Sequence, residues 1–400
     1  MSPPTIVATG LDRIEHEARD RVAGQRVTLL CHPASVNRRL EHATRVLPRV
    51  GAEIVSLLGP EHGIDAAAQD MAAVDHHAAS SDPVPVYSLY GADKESLRPE
   101  PAMFHGADTL VCDLQDIGAR YYTYVWTVVL AAEAALEAGL SVVVLDRPNP
   151  LGGRDVDVEG GTVQPGFESF VGLHPVSTRH GMTLAELTQM TLAERGAKHR
   201  ERCHIVPCTG WRRAMDFAQT GLPWVMPSPN MPTLDTAWIY PGQCLLEGTN
   251  LSEGRGTTRP FELFGAPWLD GSRLEAAIGA SDRPGLSLRP TSFQPMFQKH
   301  AGERCGGAQI HIRDRAAVRS VRTTYALLCA AWRLGGNNAQ WRTEAYEFVS
   351  DIPAIDLLAG GPWLREGIES GASALELVSS QAHARDNFVA RRRAFLIYDG

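Results

Sequence analysis

Across the first 210 residues, short apolar runs alternate with longer amphipathic stretches, and this alternation narrows the possible architectures more than any other feature. "RVTLLC" (26 to 31), "AEIVSLLG" (52 to 59), "PVYSLYG" (85 to 91), "ADTLVCDLQ" (107 to 115) and "SVVVLDRPNP" (141 to 150) read as strands. "RLEHATRVLPRV" (39 to 50) reads as a helix with Pro48 near its end, and "YTYVWTVVLAAEAALEAG" as a helix closed by Gly139. In "GMTLAELTQMTLAERG", Thr183 takes the N-cap position and Glu186 completes a capping box. Continuous apolar strands separated by helices make a parallel sheet covered on both faces, because each strand must bury both of its sides. The expected class is α/β, a Rossmann-like parallel sheet with helices on both faces.

Beyond about residue 265 the pattern is mixed: "QIHIRD" alternates as a strand, "TTYALLCAAWRLGG" is a helix, and the tail holds short helical pieces. A chain of 400 residues exceeds one core of ordinary size. We expect a catalytic domain over 1–250, a smaller α+β auxiliary domain over 251–400, and a cleft between them. Such clefts are where ligand pockets gather.

The formal charge is −8 and no run of five basic residues occurs, which argues against nucleic acid or an anionic membrane as partner. The N-terminus lacks a basic start followed by an apolar core, and no stretch of 18 apolar residues follows, so a cytoplasmic protein without membrane insertion is expected. Seven cysteines without CxxC spacing, several in apolar runs, read as reduced core thiols.

In parallel sheets ligands sit beyond the carboxyl ends of the strands. Three of these ends carry acids: Glu61 and His62 in "GPEHG", Asp113 and Asp116 in "DLQD", and Asp146 in "DRPNP". The glycines and proline of "GPEHG" force a tight path that projects Glu61 and His62 from the sheet. A phosphate loop, a GxGxxG turn, an HExxH pair and a GxSxG elbow are all missing, so neither metal nor nucleotide cofactor is expected. The adjacent pair His76 and His77 reads as surface, since neighbouring side chains on a helix splay apart.

The stretch from 228 to 262 reads as a long, packed loop. It is rich in Gly, Pro, Ser, Thr and Asn yet contains Trp238, Tyr240 and Phe261, and it carries Asn230, Glu247, Asn250, Glu253, Arg255 and Arg259. Carboxylates, Tyr faces, amides and arginines without a metal are the equipment of glycoside hydrolysis. A sugar-binding protein without catalysis is the alternative, and an amidase or esterase would need a nucleophile or metal that is not visible.

"GPEHG", "PVYSLYG", "DLQDIGARYYTY", "VVLDRPNPLGG", "FVGLHPVSTRHGMTLAEL", "PSPNMPT" and "YPGQCLLEGTNLSEGRGTTRPFELFGAPW" together resemble, in order and spacing, the NamZ-like exo-β-N-acetylmuramidases. The resemblance implies a Rossmann-like domain with a smaller partner and release of N-acetylmuramic acid from the non-reducing end of peptidoglycan fragments, disaccharides or muropeptide sugars. It makes Glu61 the prime catalytic candidate, as general acid. Asp116 is the favoured second carboxylate, with Glu247 and Glu253 as alternates. His62, Asp113, Tyr121, Tyr122, Arg147, Asn149, Arg179, His180, Asn230, Glu253 and Arg255 are the expected substrate contacts. The lactyl carboxylate of muramic acid needs a cationic fork, for which Arg147, Arg179, Arg255 and Arg259 are the candidates and Arg255, between two glycines, the first choice. One departure stands out: "EHGIDAAAQD" lacks the further Gly that usually follows in the family, so the loop after Glu61 is expected to close differently.

Overall fold

Six strands build the main sheet: β1 (Arg26–Cys31), β2 (Glu53–Gly59), β3 (Val86–Ser88), β4 (Thr109–Asp113), β5 (Ser141–Leu145) and β6 (Cys203–Val206). All pairings are parallel, in the order β3-β2-β1-β4-β5-β6, a doubly wound arrangement. This computed structural model describes residues 7–65 and 84–399. His76 and His77, and most of the atypical stretch after Gly63, lie outside the described residues.

Successive strand residues point to opposite faces, and both faces are buried. Val27, Leu29, Val111, Val143 and Leu145 pack in one core with residues of α1 (Gly10–Ile14) and α2 (Ala43–Arg49). Leu30, Leu110, Cys112, Val142 and Val144 pack in the other with α3 (Tyr124–Glu137) and α4 (Leu184–Glu194). The capping box at the start of α4 is formed by Thr183 and Glu186, as the sequence suggests. α2 is shorter than expected. Asn37 Oδ1 accepts from the backbone N–H groups of Arg39 and Glu41, a local turn that competes with helix, and His42 then caps the first helical turn.

The stretch from 228 to 262 departs from a pure loop. Thr233 caps a buried helix, α5 (Leu234–Gln243), which runs into a 3-10 turn, Cys244–Gly248. Its turn formers misled because Pro241 and Gly242 are tolerated by packing: the Tyr121 hydroxyl donates to the carbonyl of Pro241, and Gly242 lies against the Ser320 carbonyl where a Cβ would collide. α5 packs on α7 (Ser320–Gly335), which shares the large core with α6 (Gly271–Ala277) and an antiparallel sheet of β7 (Leu263–Ala266), β8 (Leu286–Phe293) and β9 (Cys305–Ile312). The order is β7-β9-β8, so Pro290 sits on an edge strand, where a missing N–H is tolerated. Short helices over 354–359, 363–369, 374–380 and 382–392 complete the tail. All seven cysteines are buried, and none forms a disulfide. Among the described residues no helix is long and apolar enough to cross a membrane.

Candidate active site

β2 ends at Gly59, and Pro60 turns the chain so that Glu61 enters a cleft between the carboxyl edge of the main sheet and the C-terminal half. His62, also at the cleft, has φ of 70°, and Gly63 follows at 80°, so two successive left-handed residues make the sharp bend. Glu61 is 5% exposed, and its Oε2 accepts a 2.6 Å hydrogen bond from the hydroxyl of Thr123, just before α3. That bond fixes the carboxyl rotamer.

The aromatic floor is built from edge-to-face pairs: Tyr122 on Tyr124 (4.8 Å), Tyr122 on Tyr240 (5.6 Å) and Tyr240 on Phe261 (4.7 Å). Burial raises the Tyr122 hydroxyl above the ordinary tyrosine range, and the charges of Asp116 and Glu61 push it the same way, so it is a neutral donor. The opposite wall carries Glu247 and Arg255, joined by a 2.7 Å bond, and Tyr346, whose hydroxyl donates to the other oxygen of Glu247 at 2.7 Å. Arg255 lies 5.1 Å over the Phe261 ring.

Of the residues singled out in the sequence, Glu61, His62, Tyr121, Tyr122, Asn230, Glu247 and Arg255 line this one cleft. The others have different neighbours. Asp113 is fully buried and forms a two-point pair with Arg147 (2.6 and 2.9 Å), whose Nη2 also donates to the Val36 carbonyl. Arg147 faces a second, smaller cavity near Asn37 and Trp224. Beside it, burial and then Arg147 push His32 down to about 3, and the neutral ring accepts the Gln115 N–H.

Asp116 accepts from the Gly118 N–H and lies 3.3 Å from His180, both buried beneath the cleft wall instead of lining it. Asn149 is a clamp: it donates to the Met182 carbonyl and accepts from the Leu151 N–H. Arg179 is buried, bonded to Glu159 and to the carbonyls of Leu151 and Val318, and stacked 4.9 Å from Trp238. Glu253 is buried against Lys299 (2.9 Å) and Arg255 (3.5 Å); burial opposes its ionisation, yet these cations hold its carboxyl below the usual range. Arg259 is half exposed and pairs with Glu262. Asp146 caps α4 through the Ala185 N–H, and burial lifts it to about 7.

Sequence reasoning missed Thr123, Ser228, Tyr346 and Glu347. Thr123 stands inside a quoted motif and could have been found there. Tyr346 and Glu347 carry no such signal, since "EAYEFV" has neither turn formers nor a clear period. Among the described residues no three His, Cys, Asp or Glu side chains are grouped to hold a metal ion.

Residues 27–235 match the family model described as Exo-beta-N-acetylmuramidase NamZ, N-terminal, and residues 238–398 match its C-terminal counterpart. Over 393 residues the chain is 39% identical to the peptidoglycan beta-N-acetylmuramidase NamZ of Bacillus subtilis (strain 168), covering 98% of this chain and 91% of that protein. Two crystal structures of DUF1343 family proteins from Bacteroides fragilis NCTC 9343 share the fold. One superposes with a TM-score of 0.87 at 30% identity, covering 99% of this chain and 100% of that one. The other has a TM-score of 0.75 at 25% identity, with 99% of both chains covered. Matched by both halves of the family along nearly its whole length, the chain belongs to the NamZ exo-β-N-acetylmuramidase family of glycosidases.

Proposed function

We propose that the protein removes N-acetylmuramic acid from the non-reducing end of peptidoglycan fragments, with Glu61 as the general acid. The observation that carries this reading is the buried Glu61 carboxyl, held by Thr123 in a cleft floored by tyrosines. Glu61 gives its proton to the leaving oxygen as the glycosidic bond breaks, and the Thr123 bond to Oε2 leaves Oε1 to carry that proton. Tyr122 and Tyr240 offer ring faces and edges to the sugar.

For the lactyl carboxylate we assign Arg255. Of the four arginines considered it alone lines the cleft, while Arg147, Arg179 and Arg259 are committed elsewhere. Glu61→Gln should lower kcat on a chromogenic N-acetylmuramic acid β-glycoside by about 100-fold or more, the scale of general-acid catalysis, with KM and melting temperature little changed. A folded Glu61→Gln protein with nearly unchanged kcat would overturn the assignment.

A further inference from the structure

The turn that carries the C-terminal segment into the cleft has an unfavourable sequence for its shape. Tyr346 and Val349 exchange two backbone hydrogen bonds of 2.9 Å around a two-residue turn. Both central residues are left-handed, Glu347 at φ 47° and Phe348 at φ 66°. Such turns favour Asn-Gly, because a Cβ in that region crowds the backbone. A long acid and an aromatic ring persist there only where the surroundings over-determine them, and strain of this kind concentrates at functional sites.

What the turn secures is a second buried carboxylate. Glu347 is 4% exposed and lines the cleft with Glu61. Its Oε2 accepts from the Tyr90 hydroxyl at 3.1 Å, while Phe348 packs on the Tyr90 ring at 5.4 Å. Tyr90 stands two residues past the end of β3, as Glu61 stands two past the end of β2, and Gly59 pairs with Ser88. Adjacent strands lie about 4.8 Å apart. The residue bearing one carboxylate and the residue tethering the other therefore leave neighbouring strand ends.

We propose that Glu347 is the second carboxylate of the hydrolysis, acting on the face of the anomeric carbon opposite the leaving oxygen; this rests on the reading of Glu61 as the acid. The leaving oxygen takes the Glu61 proton as its bond to C1 breaks, the oxygen of a water molecule forms the new bond to C1, and the proton that water sheds passes to Glu347. Glu61 ends as carboxylate and Glu347 as carboxylic acid. Exchange of one proton through solvent restores both, and the sum is addition of one water across the glycosidic bond. A single displacement inverts the centre, so a β-glycoside first yields the α-hemiacetal.

The test uses the chromogenic N-acetylmuramic acid β-glycoside with Glu347→Gln, which keeps the side-chain shape, and Glu347→Ala. Both should lose about 100-fold or more in kcat with KM little changed. Azide should restore turnover to Glu347→Ala and give the α-glycosyl azide, and proton NMR of the wild-type reaction should show the α-hemiacetal first. A folded Glu347→Gln protein with wild-type kcat, a loss confined to KM, or a β-hemiacetal as first product would overturn the proposal. Glu61→Gln, run alongside, separates the two readings: if it is inactive while Glu347→Gln is active, only the role of Glu347 falls, and if it is fully active the reading of the whole site falls.

Discussion

Arg255 and Glu247 form a buried ion pair at the cleft wall, Nη2 to Oε1 at 2.7 Å, with both side chains at most 6% exposed. Seen in the sequence, Arg255 between Gly254 and Gly256 looks free of crowding and open to a ligand. In the structure both glycines have positive φ (79° and 78°) and press on the backbones of Leu263 and Phe297, so they fold the loop. Arg255 thus has two duties, as partner of Glu247 and as the assigned contact of the lactyl group.

Arg255→Ala should consequently cost stability as well as selectivity. Leaving Glu247 as a buried charge without its cation costs about 3–5 kcal/mol. A drop of several degrees in melting temperature is expected, together with a narrowed preference for the muramic acid glycoside over its N-acetylglucosamine counterpart. Adding Glu247→Gln should recover part of the melting temperature and none of the preference. Thermal scans and kcat/KM ratios on the two glycosides read both effects.

Thr123 is a positioning residue for Glu61. Thr123→Ala removes the 2.6 Å bond, and kcat should fall about tenfold, the scale of one hydrogen bond, with KM unchanged. Thr123→Ser should restore most of the rate. Equal damage from Ala and Ser would show that packing of the methyl group matters more than the hydroxyl.

Asp146 makes stability depend on pH. Burial, then Glu186, raise its pKa from 3.8 to about 7, against the hydrogen bonds from Tyr398, Thr183 and Ala185. A folded-state pKa above the unfolded value favours the protonated form, so its contribution is complete below about pH 4 and is lost as pH rises towards 7. Across that window wild type should lose about 1 kcal/mol per pH unit relative to Asp146→Asn. Urea titrations of both proteins at pH 4.5, 5.5 and 6.5 measure the difference, and parallel curves would place the proton elsewhere.

Exhaustive chelation should leave turnover of the chromogenic glycoside intact, because among the described residues no three His, Cys, Asp or Glu side chains are grouped to hold a metal ion. Loss on chelation with recovery by one particular divalent ion would contradict this.

The alternation of apolar runs and amphipathic helices sufficed for the parallel sheet, since local periodicity decides which strand faces are buried. The sharp path of "GPEHG" sufficed to single out Glu61 for the same local reason: glycine and proline restrict the backbone wherever they occur. Which strand-end acids share the cleft was decided by tertiary structure. Asp113, Asp116 and Asp146 also stand at or just past strand ends, as Glu61 does, yet Arg147, His180 and Tyr398 occupy them. Tyr346 and Glu347 stand nearly 300 positions from Glu61 in the chain, and they reach the cleft through a turn that local preference disfavours and that contacts with Glu247 and Tyr90 hold in place. A side chain's partner depends on packing between distant elements, and that information is absent from any local window of sequence.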